Sequence, residues 1–109
     1  MAEFDVFLAH NSVDKYQVSL INEELKKRGM NTWLDVEQVQ PGKSFQDAIQ
    51  KAIPLIKSAA IFIGKNGLGT WQGLELKVIL SMCSKQNIPV IPVLLPGVYY
   101  LPQDMLFLQ

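Results

Sequence analysis

Residues 70–80 read TWQGLELKVIL and hold one carboxylate among apolar side chains. At about 100° per residue, a helix over this stretch sets Glu75 within roughly 40° of Trp71 and Ile79 and roughly 20° of Met82. Lys77, Ser81 and Lys85 take the solvated side. Taking a charged carboxylate out of water is costly unless it gains partners, or its pKa rises and it neutralises. Two roles fit. Glu75 is either a helix-edge residue whose stem covers apolar surface while its head meets a lysine, or the acid of a ligand cleft.

Other chemistry-bearing patterns are weaker. PGKS (residues 41–44) resembles part of a phosphate loop, but that motif needs a glycine where Glu37 stands. GKNGLG places Gly64, Gly67 and Gly69 between a strand and a helix, without the Gly-x-Gly-x-x-Gly spacing. It reads as a permissive loop whose backbone amides can line a cleft. A receiver domain needs acidic residues at the carboxyl end of its first strand, and Asp5 lies near the start of that run. One His and one Cys make no structural zinc site, and no Ser-His-Asp triad can be assembled. No metal is expected.

The elements that must position Glu75 follow from periodicity. FDVFLA (residues 4–9) reads as a buried strand, followed by His10 and Asn11. Ser12 is a plausible N-cap for a helix carrying Tyr16, Leu20, Ile21 and Leu25 inward and stopped by Gly29. NTWL gives a second short strand, then DVEQVQPGKS a polar loop with a Pro-Gly turn. Phe45, Ala48, Ile49, Ala52 and Ile53 keep the spacing of an amphipathic helix, with Ser44 as its cap. AAIFIG is apolar on both faces and therefore a central strand. Thr70 caps a third helix running to about Lys85, and IPVIPVLL is a fourth strand. Strands alternating with helices mean an α/β fold with a parallel sheet and helices on both faces. In such sheets ligands bind at the carboxyl edge, where strand order reverses. The helix bearing Glu75 leaves that edge, and His10 and Asn11 stand there too.

The 109 residues suffice for one domain with one core. Ten basic and ten acidic residues cancel, with no basic stripe of the kind a nucleic-acid binder shows. Cys83, the single cysteine, excludes an internal disulfide and lies among apolar neighbours as an inert thiol. There is no signal-peptide pattern, and IPVIPVLLPGVYYL is too short and too proline-broken to span a membrane. A cytoplasmic protein, with neither nucleic-acid nor membrane partner, is expected.

Four ordered motifs carry a family resemblance. FDVFLAH resembles the first signature box of TIR (Toll/interleukin-1 receptor) domains. WLDVEQVQPGKSF resembles the second, with the Pro-Gly loop known as the BB loop. SAAIFIGKNGLGTWQGLELK is similar to the third strand and following helix of bacterial members, including the Trp-x-x-x-Glu pair of those that cleave NAD. IPVIPVLLPG is similar to their fourth strand. The resemblance covers nearly the whole chain and implies a flavodoxin-like parallel sheet of order 2-1-3-4, with strand 5 if present. The single TIR domain is expected over residues 1–109, without the family's last strand and helix, as part of a longer protein.

Members either assemble as immune-signalling modules or break the nicotinamide–ribose bond of NAD, usually once assembled. The resemblance to the bacterial NAD-cleaving members makes Glu75 the catalytic acid and Trp71 a wall of the site. It makes His10, Asn11 and Phe45 substrate neighbours. Asn11 cannot ion-pair a phosphate as Arg would, and a turn role stands beside its binding role; a core-helix role stands beside that of Phe45. Asp35 reads as a cap or turn residue, with loop placement as the alternative. The loop Val36, Glu37, Gln38, Val39, Gln40, Pro41, Gly42 and Lys43 would mediate homotypic assembly with other TIR domains. The implied activity is NAD glycohydrolysis to nicotinamide and ADP-ribose or a cyclic isomer, with NAD as substrate and no cofactor, in bacterial immune signalling and antiphage defence. The alternative is a TIR interaction module without turnover.

Overall fold

A computed structural model describes residues 3–34, 37, 42, 44–65 and 76–98, with the backbone alone at Ser12, Phe45, Gln46, Leu76 and Lys77. Among the described residues, four strands, β1 (Val6–Ala9), β2 (Thr32–Trp33), β3 (Ala59–Ile63) and β4 (Val90–Leu94), alternate with three helices, α1 (Lys15–Lys27), α2 (Phe45–Ala52) and α3 (Leu76–Lys85). Short 3-10 turns precede α1 at Ser12–Asp14 and follow α2 at Ile53–Leu55. The strands form one parallel sheet, as the alternating strand and helix patterns predict, with the order β2-β1-β3-β4 that the family resemblance implies. In register, Ala9 faces Ile61 across β1 and β3, and Ile61 faces Pro92 across β3 and β4. Pro92 has no N–H to donate, and β4 is an edge strand among the described residues, where proline is tolerated.

Alternation along the strands divides the core in two. Phe7, Ala9, Ala59, Ile61 and Ile63 face α2 and α3, meeting Ile49, Ala52, Ile79 and Cys83. Val6, Leu8, Ala60 and Phe62 face the other way, onto Val18, Ile21 and Leu25 of α1. All five residues of β3 are buried, which agrees with its reading as the central strand. Phe7 and Trp33 stack with ring centroids 4.7 Å apart, tying β1 to the short β2. At the opposite end of this pair, Asp5 accepts a hydrogen bond from the Asn31 N–H (2.8 Å) and lies 3.4 Å from the Lys57 ammonium. That backbone bond first, then Lys57, holds its carboxyl below the usual range.

Of the stripe expected for helix α2, Ile49 and Ala52 are buried, as is Ile53 in the turn that follows, and Ala48 packs beside them. Its Ser44 cap accepts from the Asp47 N–H. Helix α1 differs from expectation. Tyr16 is 75% exposed and Leu20 53%, whereas Val18 and Asn22 are buried and Ile21 and Leu25 half-buried. The inward face is thus the i, i+3, i+4, i+7 set starting at Val18, and one of its members is polar. Ser12 lies in the 3-10 turn rather than at the cap; Asp14 occupies that position and makes no side-chain capping bond. The other end of α1 closes as Gly29 suggests, with Gly29 N–H bonded to Lys26 C=O and Met30 N–H to Leu25 C=O. Asn87 ends α3 in the same way at φ 57°, with Ile88 N–H bonded to Cys83 C=O. Among the described residues, no helix is long and apolar enough to cross a membrane.

Candidate active site

Strand order reverses between β1 and β3: the chain leaves β1 for β2 on one side and later leaves β3 for β4 on the other. The carboxyl ends of these two strands are therefore where a ligand cleft is expected. His10 and Asn11 follow β1, and Gly64 and Lys65 follow β3. His10 is 1% exposed and Asn11 4%, so both are part of the floor of this edge. His10 Nδ1 is 2.9 Å from the Asn11 carbonyl oxygen. A carbonyl only accepts, so Nδ1 donates and carries the hydrogen in this contact.

Asn11 builds the entry to α1. Its Oδ1 accepts from the Val13 N–H at 3.2 Å, and its carbonyl accepts from the Asp14 N–H at 2.9 Å. This is an Asx turn, in which a short polar side chain stands in for backbone. Asn11's acceptor oxygen is thereby engaged in the turn.

The turn delivers Asp14, a residue the periodicity does not single out. Asp14 is 7% exposed, and its Oδ2 is buried with no hydrogen-bond partner among the described residues. Burial pushes its carboxyl above the usual range, and the nearby charge of His10 pulls the other way. The carboxylate abuts the end of β3: a Cβ on Gly64 would lie 2.3 Å from Asp14 Oδ1. Glycine is therefore required there by close approach. A hollow of about 390 Å³ opens beside the acid, lined by Asp14, Gln17, Lys65, Pro96 and Gly97. An acid just ahead of a helix is ordinarily solvated, which is why sequence reasoning passes over it. The one available signal is Asn11, whose turn turns the chain inward.

Of the remaining candidates, Phe45 opens α2, and only its backbone is described. Glu75 and Trp71 lie outside the described residues, as do Asp35, Val36, Gln38, Val39, Gln40, Pro41 and Lys43. Glu37 is held against α1 by Asn22 and Lys26. Gly42 adopts φ 82°, the left-handed conformation that the Pro-Gly turn anticipates. Cys83 is fully buried and its thiol is pushed up to about 11 by burial, which makes it inert as a nucleophile at neutral pH.

With this architecture in place, the family model for the TIR domain matches residues 6–108. The chain is a TIR domain. A curated relative, NAD(+) hydrolase TirS of Staphylococcus aureus (strain MSSA476), is 29% identical over 94 residues, a match taking in 84% of this TIR domain and 34% of TirS. The chain thus spans about a third of that relative's length. Among solved structures, the metazoan TIR-STING receptor from C. gigas superposes with a TM-score of 0.77 at 22% identity, covering 99% of this TIR domain and 37% of that chain. The TIR domains of the activated Roq1 resistosome, which directly recognises the pathogen effector XopQ, superpose at 0.71 with 30% identity, covering 84% and 57%. The TIR domain of the Toll-related receptor TRR-2 of Hydra magnipapillata superposes at 0.61 with 17% identity, covering 94% and 78%. At 22% and 17% identity the likeness is one of fold.

Proposed function

We propose that this TIR domain cleaves NAD at the nicotinamide–ribose bond, with Glu75 as the catalytic carboxylate and Trp71 lining the site. The observation that carries the reading is the match, over 84% of the chain, to a relative named as an NAD(+) hydrolase. The sequence supports it with Glu75 four positions before Ile79, a buried core residue of α3. A carboxylate in line with a core residue calls for a function that offsets its desolvation. A pure interaction module has no such need.

The chemistry suits one acid. As the bond from C1′ to the pyridinium nitrogen breaks, its electron pair leaves with nitrogen and neutralises nicotinamide, while positive charge builds on the ribose as in glycoside hydrolysis. A carboxylate in a dry cleft stabilises that charge and can grip the ribose hydroxyls. The leaving group needs no proton, so one carboxylate suffices where most glycosidases use two. Water then adds at C1′ and releases a proton, giving ADP-ribose; attack from within the molecule gives a cyclic isomer instead. His10, Asn11 and Phe45 are assigned to the substrate surroundings. Residues 36–43 are assigned to self-association that completes the active assembly, in bacterial immune signalling.

The test is nicotinamide release from NAD by the purified domain held at high density, beside Glu75→Gln, which keeps the shape and removes the charge. Release by the wild type alone is the expected outcome. Equal release by both removes Glu75 from the site. Release by neither, with folding and assembly intact, makes the domain a scaffold.

A further inference from the structure

The hollow beside Asp14 is walled by two opposite charges that do not meet. Asp14 enters it from the turn ahead of α1 and Lys65 from the end of β3, with Gln17 of α1, Pro96 and Gly97 completing the wall. Neither charge is satisfied among the described residues. Asp14 is 7% exposed with its Oδ2 buried and unpartnered, and Lys65 makes no ion pair there. An acid and a base that line one hollow would gain from closing on each other. Standing apart, each is left open to a ligand.

The backbone leaves room for both side chains to take these places. A Cβ on Gly64 would come within 2.6 Å of Asp14 Oδ2, and a Cβ on Gly97 would run into Lys65 Cε. At φ 92° Gly97 also holds a conformation that other residues rarely adopt. Two glycines, in the segments that follow β3 and β4, thus seat one carboxylate and one ammonium around about 390 Å³. Gln17 puts this hollow on the α1 side of the sheet. Helix α3, which Glu75 precedes in sequence, packs on the other side.

The wall selects the ligand. A buried carboxylate without a partner calls for hydrogen donors, an ammonium for an anion, and the Gln17 amide both donates and accepts. Burial disfavours the charged form of Asp14, so hydroxyls suit it better than a second ammonium would. Phosphate is a natural partner for the point charge of a lysine. The lining residues include no aromatic side chain on which a nucleobase could stack. The volume lies at the lower end for small-molecule sites, enough for one sugar and its phosphate.

We propose that this hollow is a binding site for a sugar phosphate, with Asp14 and Gln17 on the sugar hydroxyls and Lys65 on the phosphate. The site stands on this geometry and does not depend on NAD cleavage.

Calorimetric titration of the domain with ribose 5-phosphate, ribose, inorganic phosphate and AMP tests it, with the amide shifts of Gly64, Lys65 and Gly97 locating the binding. Ribose 5-phosphate should bind roughly tenfold or more tightly than ribose or phosphate alone. Lys65→Ala and Asp14→Ala should each weaken it by roughly tenfold, and Glu75→Gln should leave it unchanged. Should Asp14→Ala fail to fold, exposed Gln17→Ala takes its place beside Lys65→Ala. AMP that binds as ribose 5-phosphate does assigns the ribosyl end of a nucleotide, and AMP excluded assigns a free sugar phosphate; either outcome supports the site. No binding of ribose 5-phosphate overturns the proposal, as does inorganic phosphate binding equally tightly. Binding that survives the wall substitutions, or that Glu75→Gln abolishes, places the ligand elsewhere and overturns it too.

Discussion

The two faces of the sheet solve the same packing problem with different materials. Toward α2 and α3 the described contacts include Phe7, Ile49, Ile61, Ile63, Ile79 and Cys83. Toward α1 the apolar cluster is interrupted by Asn22, which meets Thr32 and Glu37, and α1 itself is entered through Asn11 and buried Asp14. Apolar contacts reward proximity and leave orientation loosely specified, whereas buried hydrogen bonds reward particular geometry. The polar face sets where the β1–α1 turn, the end of β3 and Glu37 stand, and these border the regions assigned to ligand and partner.

Substitutions on the two faces should therefore differ in size and in kind. The largest loss of stability is expected from Ile61→Ala, in the middle of the central strand and fully buried, at about 2–5 kcal/mol by chemical denaturation. A loss below that of an exposed substitution such as Leu20→Ala would break the comparison. Gly64→Ala comes next. Its methyl would enter the space of the Asp14 carboxylate, so a loss on the order of 1–3 kcal/mol is expected. That loss should shrink when Asp14 is first replaced by Ala, because the obstructing group is gone.

Asp14→Asn should act in the opposite direction and more weakly. The folded-state pKa of Asp14 is raised, so the folded protein resists ionising it. As pH rises past the unfolded carboxyl pKa, near ~3.9, the unfolded chain releases its proton first and stability falls until the folded pKa is passed. Removing the charge should therefore stabilise the domain by on the order of 1 kcal/mol at neutral pH and bring no gain below about pH 4. Thermal melts of both proteins across that range would show it. A destabilised Asp14→Asn at neutral pH would mean the carboxylate is satisfied after all.

The same division decides what can be read from the sequence. The alternation of strands and helices, the central place of AAIFIG and the buried residues of α2 are legible because apolar runs and their spacing are local signals, whereas the strand order is what the family resemblance implies. The face of α1 is misjudged because apolar Leu20 lies on the exposed side, while an inward position is held by polar Asn22. Its partners lie 10 and 15 residues away, beyond the reach of any helical period. Asp14 escapes notice for a related reason, since its burial depends on Gly64 at the end of another strand. At the candidate site, His10 and Asn11 stand at the carboxyl edge where the strand-then-polar pattern puts them. That Asn11's oxygen is engaged in an Asx turn is one of the two roles its residue type allows.

The most direct test of the central claim is the rate of NAD consumption as the domain's surface density is raised, measured for the wild type, Glu75→Gln and Gly42→Val in parallel. The account predicts a wild-type rate that climbs faster than the amount of protein, a climb blunted in Gly42→Val, and no turnover at any density in Glu75→Gln. Turnover by Glu75→Gln at the wild-type rate would contradict it.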